Sequence, residues 1–184
     1  MRAFFALDLS PSEKLAIDSW RSRNLSGLLN LVPEANFHVT LAFLGEISAA
    51  QLDQLCRAVD EWLAQTTPAA ATLQLNEVGY WAAPQVTWIG PREWPEGLTR
   101  LAQKLGQLGS SLGLRVEKKN YQPHVTLSRQ GPPPPAALQT PDLTIRYDSF
   151  TLFESVKGRQ TVHYHPLADW KLEGELRRPK PKRV

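Results

Sequence analysis

The chain has 184 residues but only one cysteine, Cys56. A single cysteine excludes a disulfide framework, and it excludes a zinc site built mainly on thiolates. Apolar runs of the roughly 20 residues that a transmembrane helix needs are also missing. The amino-terminal stretch MRAFFALDLS has too short an apolar segment for a signal peptide, and Asp8 interrupts it. We therefore expect a cytoplasmic protein that does not associate with a membrane.

Acidic residues are missing from the last eight positions, RRPKPKRV, which carry five basic ones. Without these five, the chain has 16 basic and 18 acidic residues, so the net charge changes from +3 to −2. Pro179 and Pro181 keep this segment out of a helix or a central strand. We expect one folded domain over residues 1–176 and a disordered basic tail over residues 177–184. The alternative is that the tail lends affinity for a polyanion.

Glycine-rich phosphate loops are absent too, because neither GxGxxG nor GxxxxGK[ST] occurs. Capping boxes predict two helix starts, Ser10 with Glu13 and Ser48 with Gln51, and a third helix begins near Pro95. The apolar stripe of the second helix places Cys56 in the core.

Strands are predicted at residues 2–10, 36–44, 71–78, 85–89, 114–118, 122–128, 143–153 and 161–164, with a short piece near Trp170. Several strands follow one another without an intervening helix. This order favours an α+β fold with antiparallel pairing over a doubly wound parallel sheet.

The tetrapeptide HVTL occurs twice, at residues 38–41 and 124–127. In each copy a glycine follows the histidine by seven residues, and the chain has only 4 histidines. At ordinary composition such a match is expected by chance on the order of one time in a thousand. The copies are separated by close to half the chain. We interpret the repeat as two similar lobes, related by an approximate two-fold axis, with a cleft between them.

Each HVTL copy lies in a strand, where alternate side chains share a face. His38 and Thr40 therefore point together, as do His124 and Thr126. Two histidines that face each other suit acid–base catalysis, because one can remove a proton from a nucleophile while the other protonates a leaving group. The threonine hydroxyls can bind a group held between them. No carboxylate lies nearby to hold a metal, so an anionic substrate such as a phosphodiester is favoured, without metal or cofactor.

The segments HVTLAFLG and PHVTLSR resemble the two HxTx motifs of the two-histidine (2H) phosphoesterases. Within that superfamily the chain most resembles the RNA 2′,3′-cyclic phosphodiesterases, also described as 2′-5′ RNA ligases. The segments FFALDL, VTWIG and FTLFES…GRQTVHYHPLADWKL extend the similarity over nearly the whole chain. The resemblance implies a bilobal α+β fold with one HxTx motif on a central strand of each lobe.

The resemblance also implies metal-independent hydrolysis of an RNA-terminal 2′,3′-cyclic phosphate to a 2′-phosphate. On this basis His38 is the proton donor, His124 is the proton acceptor, and Thr40 and Thr126 bind the phosphate. The expected partner is RNA with such an end, or a small cyclic phosphodiester. Nothing in the sequence demands a second copy, so we expect a monomer.

Three further residues are candidates for the site. Arg129 is similar to the family's arginine after the second motif and could clamp phosphate. Strict alternation from His124 puts Arg129 on the opposite face, so it reaches the cleft only if the strand ends or bulges there. A surface role is the alternative. Tyr121 could stack on a base or belong to the core, and Trp81 is the tryptophan that we expect on the cleft.

Three other functions remain as alternatives. Reversible 2′-5′ RNA ligation would use the same two histidines, with a 5′-hydroxyl in place of water. A non-catalytic module that binds RNA ends would need the cleft but not two titratable residues. A metal hydrolase would use His163 and His165, which share a strand face, and would lose activity on chelation. For these two histidines we favour an exposed pair on an edge strand.

Overall fold

The computed structural model describes residues 1–117, 120–159 and 161–173. The elements are β1 (Arg2–Asp8), α1 (Pro11–Asn24), β2 (His38–Glu46), α2 (Ala49–Leu63), β3 (Ala71–Leu75), β4 (Glu77–Trp81), β5 (Val86–Gly90), α3 (Glu96–Ser111), β6 (Val125–Arg129), β7 (Leu143–Tyr147), β8 (Ser149–Lys157) and β9 (Val162–Lys171). A single 3₁₀ turn, Glu34–Asn36, precedes β2. No helix in the described ranges is long and apolar enough to cross a membrane. The boundary predicted after residue 176, the tail, and the lysines at 118 and 119 lie outside these ranges.

Both motif strands are edge strands of their sheets, not the central strands that the resemblance implies; the first HVTL copy lies on β2, and the second begins at His124, directly before β6. One sheet has the order β2-β1-β8-β9 and the second has the order β4-β5-β6, while β3 and β7 form a separate pair. All pairings between these strands are antiparallel. The predicted α+β class with antiparallel sheets is therefore confirmed, and the two larger sheets correspond to the two predicted lobes.

Both predicted capping boxes are present. In α1 the Ser10 hydroxyl accepts from the Glu13 backbone N–H, and the Glu13 carboxylate accepts from the Ser10 N–H; Ser48 and Gln51 repeat the arrangement in α2. The phase predicted for α2 is right, since Leu55 and Val59 are fully buried. Cys56 is only half-buried, because it lies at the margin of the buried stripe rather than at its centre.

Two predicted strands are each two strands that belong to different sheets. Residues 71–78 divide at Asn76, which donates its N–H to Gly90 and accepts from the Arg92 N–H through its side chain. Residues 143–153 divide at Asp148 between β7 and β8. The alternating pattern continues through both corners because strands on either side of a corner bury alternate residues. It therefore conceals the change of sheet.

One further strand prediction is wrong, and two predicted strands are parts of a single strand. Residues 114–117 form no strand; the Leu114 N–H instead donates to the Gly109 carbonyl at the end of α3. The segments predicted at 161–164 and near Trp170 are one continuous strand, β9, which pairs with β8 over its whole length. A register shift between Leu152 and Phe153 of β8 absorbs the irregularity in the pairing.

One hydrophobic core fixes both motif strands. Val39 and Leu41 of β2 and Val125 and Leu127 of β6 all belong to the same buried cluster. Helix α3 packs so closely on β2 that a Cβ added at Gly109 would lie 2.7 Å from a Leu44 methyl carbon. The apolar half of each HVTL motif thus anchors its strand, which leaves the histidine and threonine half to face the space between the sheets.

Candidate active site

A β-bulge interrupts each HVTL strand at its leucine. The register of β2 against β1 skips Leu41, and the register of β6 against β5 skips Leu127. A bulge places two residues opposite one and so changes the face that the following residues take. It brings Phe43 and Arg129, each five positions after a motif histidine, to the histidine side of the strand. The bulge that Arg129 needs in order to reach the histidine side is present, and the Arg129 side chain is exposed.

His38 is held by contacts on several sides. Its Nδ1 lies 2.7 Å from the Asn36 carbonyl oxygen, and its Nε2 lies 3.0 Å from the Thr40 hydroxyl oxygen. The rings of Phe4 and Tyr164 pack on it, with centroid separations of 5.1 and 5.0 Å. Since a carbonyl only accepts, Nδ1 carries the proton of the neutral ring. Nε2 is then the nitrogen that can exchange a proton with a ligand.

His124 repeats the same arrangement on the other sheet. Its Nδ1 lies 2.8 Å from the carbonyl oxygen of Gln122, again two residues earlier. Trp81 packs edge-on to it at 4.6 Å between centroids, and Trp88 lies at 6.4 Å. The Trp88 ring lies across Gly79, where an added Cβ would come within 2.0 Å of a ring carbon. Both histidines therefore have the same fixed tautomer and an aromatic wall.

Burial disfavours the charged form of both imidazoles. It lowers the pKa of His38 from 6.5 to about 4, partly opposed by the Asn36 carbonyl; the charges of Arg129, His124 and Lys14 lower it further. Burial and the Arg129 charge also lower the pKa of His124. Both rings are therefore neutral at pH 7 in the free protein. An anion bound between them would raise both pKa values.

A cleft of about 1020 Å³ opens beside the second motif. Thr40, Trp81 and His124 lie on its wall, and α3 contributes the polar side chains of Gln103 and Gln107. Among the described lining residues, Glu117 is the one charged side chain, since the His124 ring is neutral. The cleft therefore combines aliphatic, aromatic and amide side chains, and it reaches the histidine pair from the His124 side.

The structure brings the predicted residues together in two groups. The first surrounds the histidine pair: Thr40 bonds to His38, Thr126 is buried two residues after His124, and the Arg129 charge acts on both rings. The second group, Trp81 and Tyr121, lines the cleft.

The alternatives for Tyr121 do not exclude each other, because it packs on the core and lines the cleft as well. Burial raises the pKa of its hydroxyl, which has no partner among the described residues.

His163 and His165 lie apart from this site. Both are exposed on β9, which is the edge strand farthest from β2 in its sheet. Between them Tyr164 points to the opposite face and packs on His38. No group of three metal-ligating side chains occurs in the described parts of the chain.

The sequence reasoning missed three aromatic neighbours of the histidines, namely Phe4, Tyr164 and Trp88. Strand alternation could have identified Tyr164, since it lies between two histidines that were assigned to solvent.

Comparison with known proteins finds one family that matches most of the chain. The family model of the 2′-5′ RNA ligase superfamily matches residues 9–159. The RNA 2′,3′-cyclic phosphodiesterase of Escherichia coli K12 is 32% identical over 183 residues, which cover 93% of this chain and 96% of that protein.

Two solved structures extend the comparison. E. coli LigT complexed with 3′-AMP is 31% identical, with a TM-score of 0.77, covering 93% of this chain and 96% of its own. TT0787 of Thermus thermophilus is 27% identical, with a TM-score of 0.78, covering 95% of this chain and 100% of its own. The similarity thus includes both histidine strands and the sheets that carry them.

The lowered pKa of His38 predicts a specific pH dependence of stability. Between pH 6.5 and about 4 the unfolded chain binds a proton that the folded protein resists. The free energy of unfolding should therefore fall as the pH drops through this range. We expect the His38→Gln variant, which cannot titrate, to lose less stability between pH 7 and pH 4.5 in urea titrations. His165→Gln, which removes an exposed histidine, is the matched control. Equal pH dependence in wild type and His38→Gln would contradict the account.

Proposed function

The chain belongs to the 2′-5′ RNA ligase superfamily, and on that premise we propose that it hydrolyses a 2′,3′-cyclic phosphate to a 2′-phosphate. The substrate is an RNA end or a small cyclic phosphodiester. One observation carries the proposal: the Nδ1 of each motif histidine, His38 and His124, bonds to the carbonyl two residues earlier, so Nε2 is the nitrogen that can exchange a proton, and in His38 this Nε2 also bonds to the Thr40 hydroxyl. Two equivalent imidazoles on separate sheets supply one proton acceptor and one proton donor.

The reaction follows from these two roles. His124 removes a proton from water through Nε2 as the oxygen attacks phosphorus. The bond from phosphorus to the ribose 3′-oxygen breaks, and the His38 imidazolium donates its proton to that oxygen. The product retains the phosphate on the 2′-oxygen. Thr40, Thr126 and Arg129 hold the non-bridging oxygens as negative charge builds on them.

Substrate binding itself charges the proton donor. A His38 ring with a pKa of about 4 is almost entirely neutral in the free protein at pH 7. The negative charge of a bound phosphodiester favours the imidazolium and raises this pKa. Since a donor with a pKa near the working pH is the most effective, the ring acquires its proton when there is a leaving group to receive it.

The cleft fits the nucleotide that precedes the cyclic phosphate. Trp81 and Tyr121 offer surfaces on which a base can pack, and the amides of Gln103 and Gln107 can hydrogen-bond to base edges. The scarcity of charge along the described lining favours contacts to bases and riboses over contacts to phosphates. Ligation would use the same groups, with a 5′-hydroxyl of a second RNA end in place of water.

The proposed function predicts a large loss of turnover when either histidine is replaced. We expect His38→Ala and His124→Ala each to lower turnover by about 10²–10⁴-fold, the usual contribution of a positioned acid or base. The double variant should lose much less than the product of the two effects, because the residues act as a unit. The assay uses a short RNA ending in a 2′,3′-cyclic phosphate, with products resolved as 2′- or 3′-phosphate.

The exposed His163→Ala is the matched control, and a strong chelator should leave the rate unchanged. A 3′-phosphate product would contradict the direction of bond cleavage. Absence of turnover by the wild type would favour the module that only binds RNA ends.

The assignment of donor and acceptor predicts which variant an activated substrate rescues. A phosphodiester with a much better leaving group needs little protonation, so it should restore turnover to His38→Ala. It should not rescue His124→Ala, because water still needs a base. Steady-state rates of the two variants on this substrate and on the RNA substrate make the comparison. Rescue of His124→Ala alone would mean that the two roles are reversed.

A further inference from the structure

A buried arginine outside the cleft contacts Leu127 of the second histidine motif and Phe37, the residue before the first motif. Arg21, on α1, is only 4% exposed. Its Nη1 donates to the carbonyl oxygens of Val32 and Leu127, at 2.7 and 2.9 Å, and its Nη2 donates to Asp18 at 2.5 Å. Its guanidinium carbon lies 4.9 Å from the centroid of the Phe37 ring. Arg21 is not among the described residues that line the cleft.

Two of the partners of Arg21, Leu127 and Phe37, lie next to the proposed catalytic groups. Leu127 is the bulge residue of the second motif, next to Thr126 and two positions before Arg129. Its carbonyl also accepts from the Val32 N–H at 3.0 Å. Phe37 directly precedes His38. The Arg21 guanidinium therefore lies between the Leu127 bulge of the second motif and Phe37, just before the start of β2.

Backbone pairing does not join the two motif strands to each other. Strands β2 and β6 belong to separate sheets, so no backbone pairing sets the separation of their histidines. The segment after α1 covers the free edge of β6 instead, through an isolated bridge between Leu31 and Ser128 and a bond from the Arg129 N–H to Asn30. Arg21 joins this segment to the bulge, because it bonds to Val32 and to Leu127 together.

We propose that Arg21 is a positioning residue that fixes the separation of His38 and His124 by holding the Leu127 bulge against the start of β2. This inference rests on the proposed function. A guanidinium presents several donors in a rigid plane, which lets one group reach two carbonyls, a carboxylate and an aromatic face. An ammonium cannot reproduce that set. Because a misplacement of about 1 Å can cost on the order of 10²-fold in rate, the loss should affect chemistry rather than binding.

The kinetic experiment compares Arg21→Lys and Arg21→Met with the same two substitutions at Arg23. Arg23 is an exposed residue of the same helix, and its side chain donates to the Ser19 carbonyl within that helix. We expect Arg21→Met to lower kcat by about 10²-fold with KM near the wild-type value. The kcat of Arg21→Lys should lie between those of Arg21→Met and the wild type. The Arg23 variants should match the wild type.

A second control separates positioning from a general loss of stability. Leu73→Ala removes a buried side chain from β3, which pairs with β7 and not with either motif strand. It should lower the melting temperature yet keep kcat when assayed well below that temperature. If Leu73→Ala loses kcat as Arg21→Met does at equal melting temperature, the role of Arg21 is merely structural and the proposal fails.

An NMR titration of the imidazole protons gives a readout that does not depend on turnover. In Arg21→Lys, which keeps the charge, we expect the pKa values of His38 and His124 both to rise toward 6.5 as the two motifs separate and water enters. Unchanged histidine titrations in a folded Arg21→Lys variant would overturn the inference. If the wild type fails to hydrolyse the cyclic phosphate, the proposed function fails, while this titration still decides whether Arg21 positions the histidines.

Discussion

The hydrogen bond from each motif histidine to the carbonyl two residues before it is the constraint on which the site depends. It fixes Nδ1 as the protonated nitrogen, so Nε2 becomes the nitrogen available to a ligand. Because the bond joins residues only two positions apart at the start of each motif strand, it survives only while that short segment keeps its shape. The core packing of the valine and leucine of each HVTL motif, and the 3₁₀ turn before His38, maintain that shape.

The two bulges connect this constraint to the electrostatics of the site. A bulge at Leu127 turns Arg129 toward the histidines, while the equivalent bulge at Leu41 turns Phe43 toward His38. The repeat is therefore symmetric in backbone and asymmetric in side chains, with a cation on one side and an aromatic ring on the other. Burial together with that cation keeps both imidazoles neutral until an anion arrives. Such preorganisation stabilises developing charge without further rearrangement.

The sequence was sufficient for the fold class and for the pairing of Thr40 with His38. Strand alternation within HVTL placed Thr40 with His38 correctly, since it needs only a local backbone repeat. The bulge that redirects Arg129 depends on how β6 registers against β5, which no local pattern encodes. The corners at Asn76 and Asp148 were missed for the same reason. Arg21 also escaped notice, because its two carbonyl partners, Val32 and Leu127, are far apart in the chain.

The central claim is that His38 and His124 act together on one phosphate. An NMR titration with a nucleoside 2′-monophosphate, the proposed product, tests this most directly. The account predicts that one equivalent raises the pKa of both imidazoles and that both signals report the same Kd. A response from one histidine alone, or two equivalents bound with different Kd values, would contradict it.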